Sequence, residues 1–198
     1  MVRYADNLSL LAARDLFFEN ANLGPDGGYA ARWVRVETKP VPFYFPNWPA
    51  RVKAARLHDL HHIAAEYETD WTGEAEIAAW EIASGCGDYY AAWLLNFGGF
   101  GAGLVVGPRR LFRAFIRGRR AKTNLYHNGF DESRLNQITV GALRDQLGLR
   151  VQSFAARPRD VALFLWWCVP AILSWLPIPL LTLLLAWLVA RAVIHGAG

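Results

Sequence analysis

Helical spacing of apolar residues recurs along most of this chain, and no alternating strand pattern of any strength appears. The pattern predicts helices over Arg51 to Glu68, Gly73 to Ile82 and Tyr89 to Phe97. A first helix is expected from a cap at Asp6 or Asn7 through Phe18, closed by the turn Gly24-Pro25-Asp26-Gly27-Gly28. Tyr29 to Val36 is periodic enough for a short helix or strand, and the proline-rich Pro40 to Pro49 reads as an extended, irregular connector carrying aromatics. Thr139 is suited to cap a helix over Val140 to Leu147, with Gly148 as its stop. The fold class is mainly α, without internal repeats.

Two long stretches lack charge. Val161 to Ala190 has none at all and exceeds the roughly 20 apolar residues that span a bilayer. Pro177-Ile178-Pro179 divides it into two legs of roughly 15 residues, each about 23 Å long at helical rise, short of a core of about 30 Å. A shallow membrane hairpin with both flanks on one side is therefore expected, with a kinked single span as the rival; Arg144, Arg150, Arg157 and Arg159 before the block and Arg191 after it place both flanks in the cytoplasm. The second stretch, Tyr89 to Gly107, contains Gly99-Phe100-Gly101-Ala102-Gly103. A dinucleotide loop would need a preceding strand, which the pattern lacks. Glycines in an apolar helical setting instead permit close approach of a neighbouring helix or of a hydrocarbon tail.

Composition bounds the rest. A chain of 198 residues, 54% hydrophobic with nine tryptophans, suits one domain plus an appendage, and it divides into residues 1–50, a helical domain over 51–150 and a membrane segment over 160–195. Charges within Met1 to Asn20 exclude a signal-peptide core, and the two cysteines, Cys86 and Cys168, build neither a disulfide framework nor a C-x-x-C site, which suits a reducing compartment. Arg109, Arg110, Arg113, Arg117, Arg119, Arg120 and Lys122 form a run interleaved with Leu111, Phe112, Phe115 and Ile116. Such a basic amphipathic helix suits an anionic membrane surface. Nucleic acid is excluded as a partner, because no reading module accompanies it. A solvated basic face over a core stripe is the plain alternative.

The candidate chemistry lies in His58-Asp59-Leu60-His61-His62 and in Glu74. His58 and His62 are four apart on a helix, so their imidazoles share a face. With Glu74 from the next helix they can hold a borderline divalent metal and leave positions open for a reacting ligand. Asp59 is placed to bind directly or to orient a ligand, and Glu66 to join the same face. The competing reading is a polar helix face whose histidines bind nothing.

H-D-x-x-H, eleven residues and Glu74 resemble the motif of the coenzyme Q (ubiquinone) biosynthesis protein 4 family. The landmarks around it are similar too: Arg56-Leu57 before the motif, Gly73-Glu74 continuing to Trp80-Glu81, Gly107-Pro108-Arg109-Arg110-Leu111, Gly118 to Lys122, and Leu143 to Leu149. The resemblance covers Arg51 to Leu149; residues before about 50 depart from it, and the Val161 to Ala190 block is not a usual part of that family. It implies a membrane-associated helical protein on the cytoplasmic face of the inner membrane. Its partners would be a polyprenylated quinone precursor or other isoprenoid lipid and other ubiquinone-biosynthesis proteins. The implied activity is oxidative removal of the ring carboxyl group, a metal-dependent lyase and hydroxylase step. His58, Asp59, His62 and Glu74 would form the catalytic and metal site, holding zinc, iron or manganese, and His61 has no counterpart. Two other classes remain in view: a non-catalytic lipid-binding scaffold of a membrane complex, and a membrane metallohydrolase, since H-D-x-x-H is one methylene from H-E-x-x-H.

Overall fold

The structure, a computed structural model, describes residues 3–37, 42–128, 130–150, 154–177, 180–184, 187, 188 and 191. It is mainly helical. Its elements run α1 (Leu10–Asn20), β1 (Trp33–Val36), β2 (Phe43–Pro46), α2 (Pro49–Ala65), α3 (Trp71–Ser84), α4 (Tyr90–Val106), α5 (Pro108–Arg120), α6 (Leu125–Asn128), α7 (Val140–Leu147) and α8 (Pro158–Leu173).

The α3 helix is the centre of the domain because both of its flanks are built for contact. Ala75, Ala79 and Ala83 are buried with Leu111, Phe115 and Ile116 of α5 and Phe100 of α4. Gly118 brings the α5 backbone so close that a Cβ there would strike the Trp80 carbonyl oxygen. A second core joins Leu57, Leu60 and Ile63 of α2 to Ile77 and Trp80 of α3, Phe17 of α1 and Leu143 and Leu147 of α7. Thr139 caps α7 and Gly148 ends it at φ 74°, as the sequence predicts.

Three expectations are corrected. The α1 cap is Ser9, not Asp6 or Asn7, because the Asp6 carboxylate accepts from Arg144 (2.5 Å) and Arg150 (2.6 Å) instead. The connector over Pro40 to Pro49 is not irregular throughout: Phe43–Pro46 pairs antiparallel with Trp33–Val36 in the register Trp33 to Pro46. Pro42 precedes the strand and Pro46 ends it, so no interior donor is lost. The third difference is that α4 runs through its glycines to Val106 rather than stopping at Phe97. Ala78 lies against Gly99, Trp175 and Ala171 against Gly101, and Leu111 and Ala75 against Gly103, so neighbouring helices occupy the space those glycines leave. The basic run divides: Arg109, Arg110, Arg113 and Lys122 are exposed, and Arg117, Arg119 and Arg120 are half-buried. Arg110 pairs with Glu76, Arg120 with Asp160, and Arg117 donates to the Ala65 carbonyl, while Phe112 packs on Phe164 of α8.

The apolar C-terminal stretch begins as α8, which lays Phe164 among Phe100, Phe112 and Phe115 and Trp167 against Trp93. Its opposite face leaves Leu165, Trp166 and Val169 exposed. Among the described residues no helix is long and apolar enough to cross a membrane. The α8 helix has 16 residues, the length of one leg of the expected hairpin, whereas Ile178 and Pro179 at its expected turn lie outside the described residues.

Candidate metal centre

Two helix starts place the site. Pro49 opens α2 after Trp48, where its missing N–H costs nothing, and the helix ends with Glu66 in the left-handed region at φ 60°. Asp70 caps α3 by accepting the Gly73 N–H at 2.7 Å, which sets Glu74 in the first turn and Glu81 two turns further on the same face.

His58, His62 and Glu74 converge, with one ligand atom from each lying within 4.8 Å of the others. His58 Nε2 and His62 Nε2 are 3.1 Å apart, and the Glu74 oxygens lie 3.4 Å and 3.5 Å from them. The far nitrogens fix the tautomers. His58 Nδ1 donates to Glu81 Oε1 at 3.0 Å, and His62 Nδ1 donates to the Tyr67 carbonyl at 3.1 Å. Both protons are thus committed to Nδ1, and two Nε2 lone pairs face each other across 3.1 Å. Only a shared proton or a cation relieves that opposition. Burial disfavours a charged His58, but the Glu81 and Glu74 carboxylates outweigh it and raise its pKa well above the ordinary imidazole value. Ligand atoms on one ion with bonds of about 2.0–2.2 Å stand about 2.9–3.5 Å apart, the range of these separations. The Phe17 ring stacks on His62, and the Glu74 side chain, 43% exposed against 1% for His62, marks the open side.

Glu81 was not singled out by the sequence as a site residue, yet it organises the cluster. It is wholly buried and accepts four hydrogen bonds. His58 and His61 donate to Oε1 at 3.0 Å and 2.7 Å, and Asn96 and Tyr126 to Oε2 at 2.6 Å and 3.0 Å. Burial alone would raise its pKa, but His58 and His61 hold it well below the usual carboxylate range. His61 is therefore not incidental: its Nε2 accepts the Leu125 N–H at 3.0 Å, so its proton sits on Nδ1 and it braces Glu81. Asp59 stands beside the trio rather than within it. The Tyr29 hydroxyl donates to its Oδ2 at 2.5 Å, and burial raises its pKa. Glu66 is drawn away to Arg144 and Arg3.

The sequence carried one unused signal for Glu81: a lone charge in the apolar run Ala78 to Ala83, seven residues after Glu74. Asn96, Tyr126 and Tyr29 arrive from distant elements and leave no local mark. The chain matches no protein-family model, and comparisons with characterised proteins and with solved structures found no match.

Proposed function

We propose that this chain is a membrane-associated, metal-dependent protein of ubiquinone biosynthesis that decarboxylates a polyprenylated benzoate ring oxidatively. The observation that carries the metal is the convergence of one ligand atom each from His58, His62 and Glu74 within 4.8 Å, with the far nitrogen of each imidazole set against an acceptor. Charge is consistent with it: the histidines lower the pKa of Glu74 and Glu81, and a divalent cation would take over that role when the imidazoles bind it as neutral ligands. A two-histidine, one-carboxylate set with open positions is that of non-haem iron(II) oxygenases, which favours iron for an oxidative reaction.

When bound, the ion supplies a Lewis acid that stabilises charge on the ring oxygens. The protein's own residues do the rest: His58, His62 and Glu74 fix the reacting end, and Glu81 and the Tyr67 carbonyl keep each imidazole in the ligating tautomer. In the reaction the bond from the ring to its carboxyl carbon breaks and carbon dioxide leaves. One atom of dioxygen becomes the new ring hydroxyl. The other leaves as water, with two electrons from a reductant. Membrane attachment is supported by the large apolar side chains exposed between Val161 and Leu188, including Trp166, Leu180 and Leu183, and by exposed Arg109 and Arg113.

Lipid extracts of cells lacking the gene test the pathway by mass spectrometry. Loss of ubiquinone with accumulation of a ring-carboxylated polyprenyl precursor is expected, and an unchanged quinone profile refutes it. Metal analysis of the purified chain tests the centre: one ion per chain, lost in His62→Ala, is expected. Equal metal content in both would dismiss it.

A further inference from the structure

Arg51, on the face of α2 that carries the metal histidines, has no carboxylate ion-pair partner among the described residues. Arg51, Ala55, His58 and His62 are spaced four, three and four residues apart, so they form one stripe of α2. Ala55, between Arg51 and the histidines, is buried. Asn47 holds the guanidinium: its Oδ1 accepts from Arg51 Nη1 at 3.1 Å, while its own amide is spent on the carbonyls of Gly28, Tyr29 and Ala31. Arg51 Nε is buried without a hydrogen-bond partner among the described residues. Asp59 and Glu74 act on its charge through space without forming an ion pair with it.

Several other arginines of the domain are ion-paired. Arg56 Nη1 donates to both Glu132 carboxylate oxygens, Arg120 holds Asp160, and Arg144 holds Asp6 and Glu66. Arg117 and Arg119 also have an Nε without a hydrogen bond, but Arg117 donates from Nη1 to the Ala65 carbonyl and lies over the Tyr67 ring, and Arg119 Nε is 3.7 Å from the Asp160 carboxylate. A guanidinium that is fixed, partly desolvated and left with open donors is suited to a planar oxyanion.

We infer that Arg51 is a carboxylate-binding subsite beside the cluster, which receives an acidic group on the ligand while the ligand's other polar end faces His58, His62 and Glu74. The identity of that ligand as a ring carboxylate rests on the function proposed above; the subsite itself rests on Arg51, Asn47 and the unpaired Nε. Its role is to orient and select the substrate rather than to react.

The test compares 4-hydroxybenzoate with its neutral isostere 4-hydroxybenzamide by calorimetric titration of the full chain, with and without bound zinc. Wild type is expected to prefer the carboxylate, and Arg51→Gln to lose about 10- to 100-fold in affinity for it, the range of a charge-assisted hydrogen bond. The same variant should keep its zinc stoichiometry and its affinity for the benzamide. Arg51→Lys, which keeps the charge without the fork, should recover part of the preference. Equal binding of both probes by wild type, or an equal loss of both in Arg51→Gln, overturns the subsite. Failure of wild type to bind zinc overturns the metal centre instead, and the comparison of probes on the zinc-free protein still decides Arg51.

Discussion

Replacing Glu81 by glutamine separates an organised cluster from a chance grouping of polar residues. The substitution keeps the shape and removes the charge from a carboxylate that takes four donors with no solvent contact. The least costly arrangement leaves the new amide oxygen on His58 and His61 and turns Asn96 and the Tyr126 hydroxyl to accept. Four charge-assisted bonds of about 1.5–3 kcal/mol then become neutral ones of about 0.5–1.5 kcal/mol, a loss of about 4–6 kcal/mol. Freeing the protein from a buried charge returns part of this, so a net destabilisation of about 2–4 kcal/mol is expected. At about 2–4 °C per kcal/mol, the melting temperature should fall by about 4–16 °C. The same change loosens His58, so metal affinity measured against a competing chelator should fall about 10- to 100-fold. Thermal unfolding within about 2 °C of wild type, together with an unchanged metal affinity, would refute the organising role given to Glu81.

Three further outcomes follow from the packing and the ion pairs. Gly118→Ala forces a methyl onto the Trp80 carbonyl and the Ala83 side chain, and chemical denaturation should show a loss of about 1–3 kcal/mol; an unchanged midpoint would mean α3 and α5 are not in such close contact. Thr139→Ala removes the oxygen that accepts the Ala142 N–H and should cost about 1 kcal/mol in the same assay, whereas Thr139→Ser should cost little. The Arg120 guanidinium lowers the pKa of Asp160, so that pair stabilises the fold above the ordinary carboxylate range and the contribution disappears as pH falls through and below it. Stability measured between pH 6 and pH 2.5 should therefore drop more steeply in wild type than in Asp160→Asn, and parallel curves would contradict the pairing.

The fold was legible where a segment's own residues decide its state. Thr139 and Gly148 around α7 and the apolar stripe of α5 each carry their own instruction. The reading failed where a partner decides. Phe43 to Pro46 is a strand only because Trp33 to Val36 lies alongside it, and Asp6 is no cap because Arg144 and Arg150 claim it from about 140 residues away. The site divides in the same way. His58, His62 and Glu74 were visible because helical spacing and a short turn bring them together. The anchoring of Asp59 by Tyr29, and of Glu81 by Asn96 and Tyr126, depends on tertiary placement that no spacing encodes.

Arg144 gives the assembly an order in time. Its guanidinium reaches the Tyr4 carbonyl, Asp6, the carbonyls of Ile63 and Ala64 at the end of α2, and Glu66. One residue of α7 thus ties the segment before α1 to the end of the histidine-bearing helix, through contacts that span 78 to 140 residues of sequence. Joining segments so far apart carries a loop-closure cost that the local helices do not bear, so the helices can form before the clasp that holds them together.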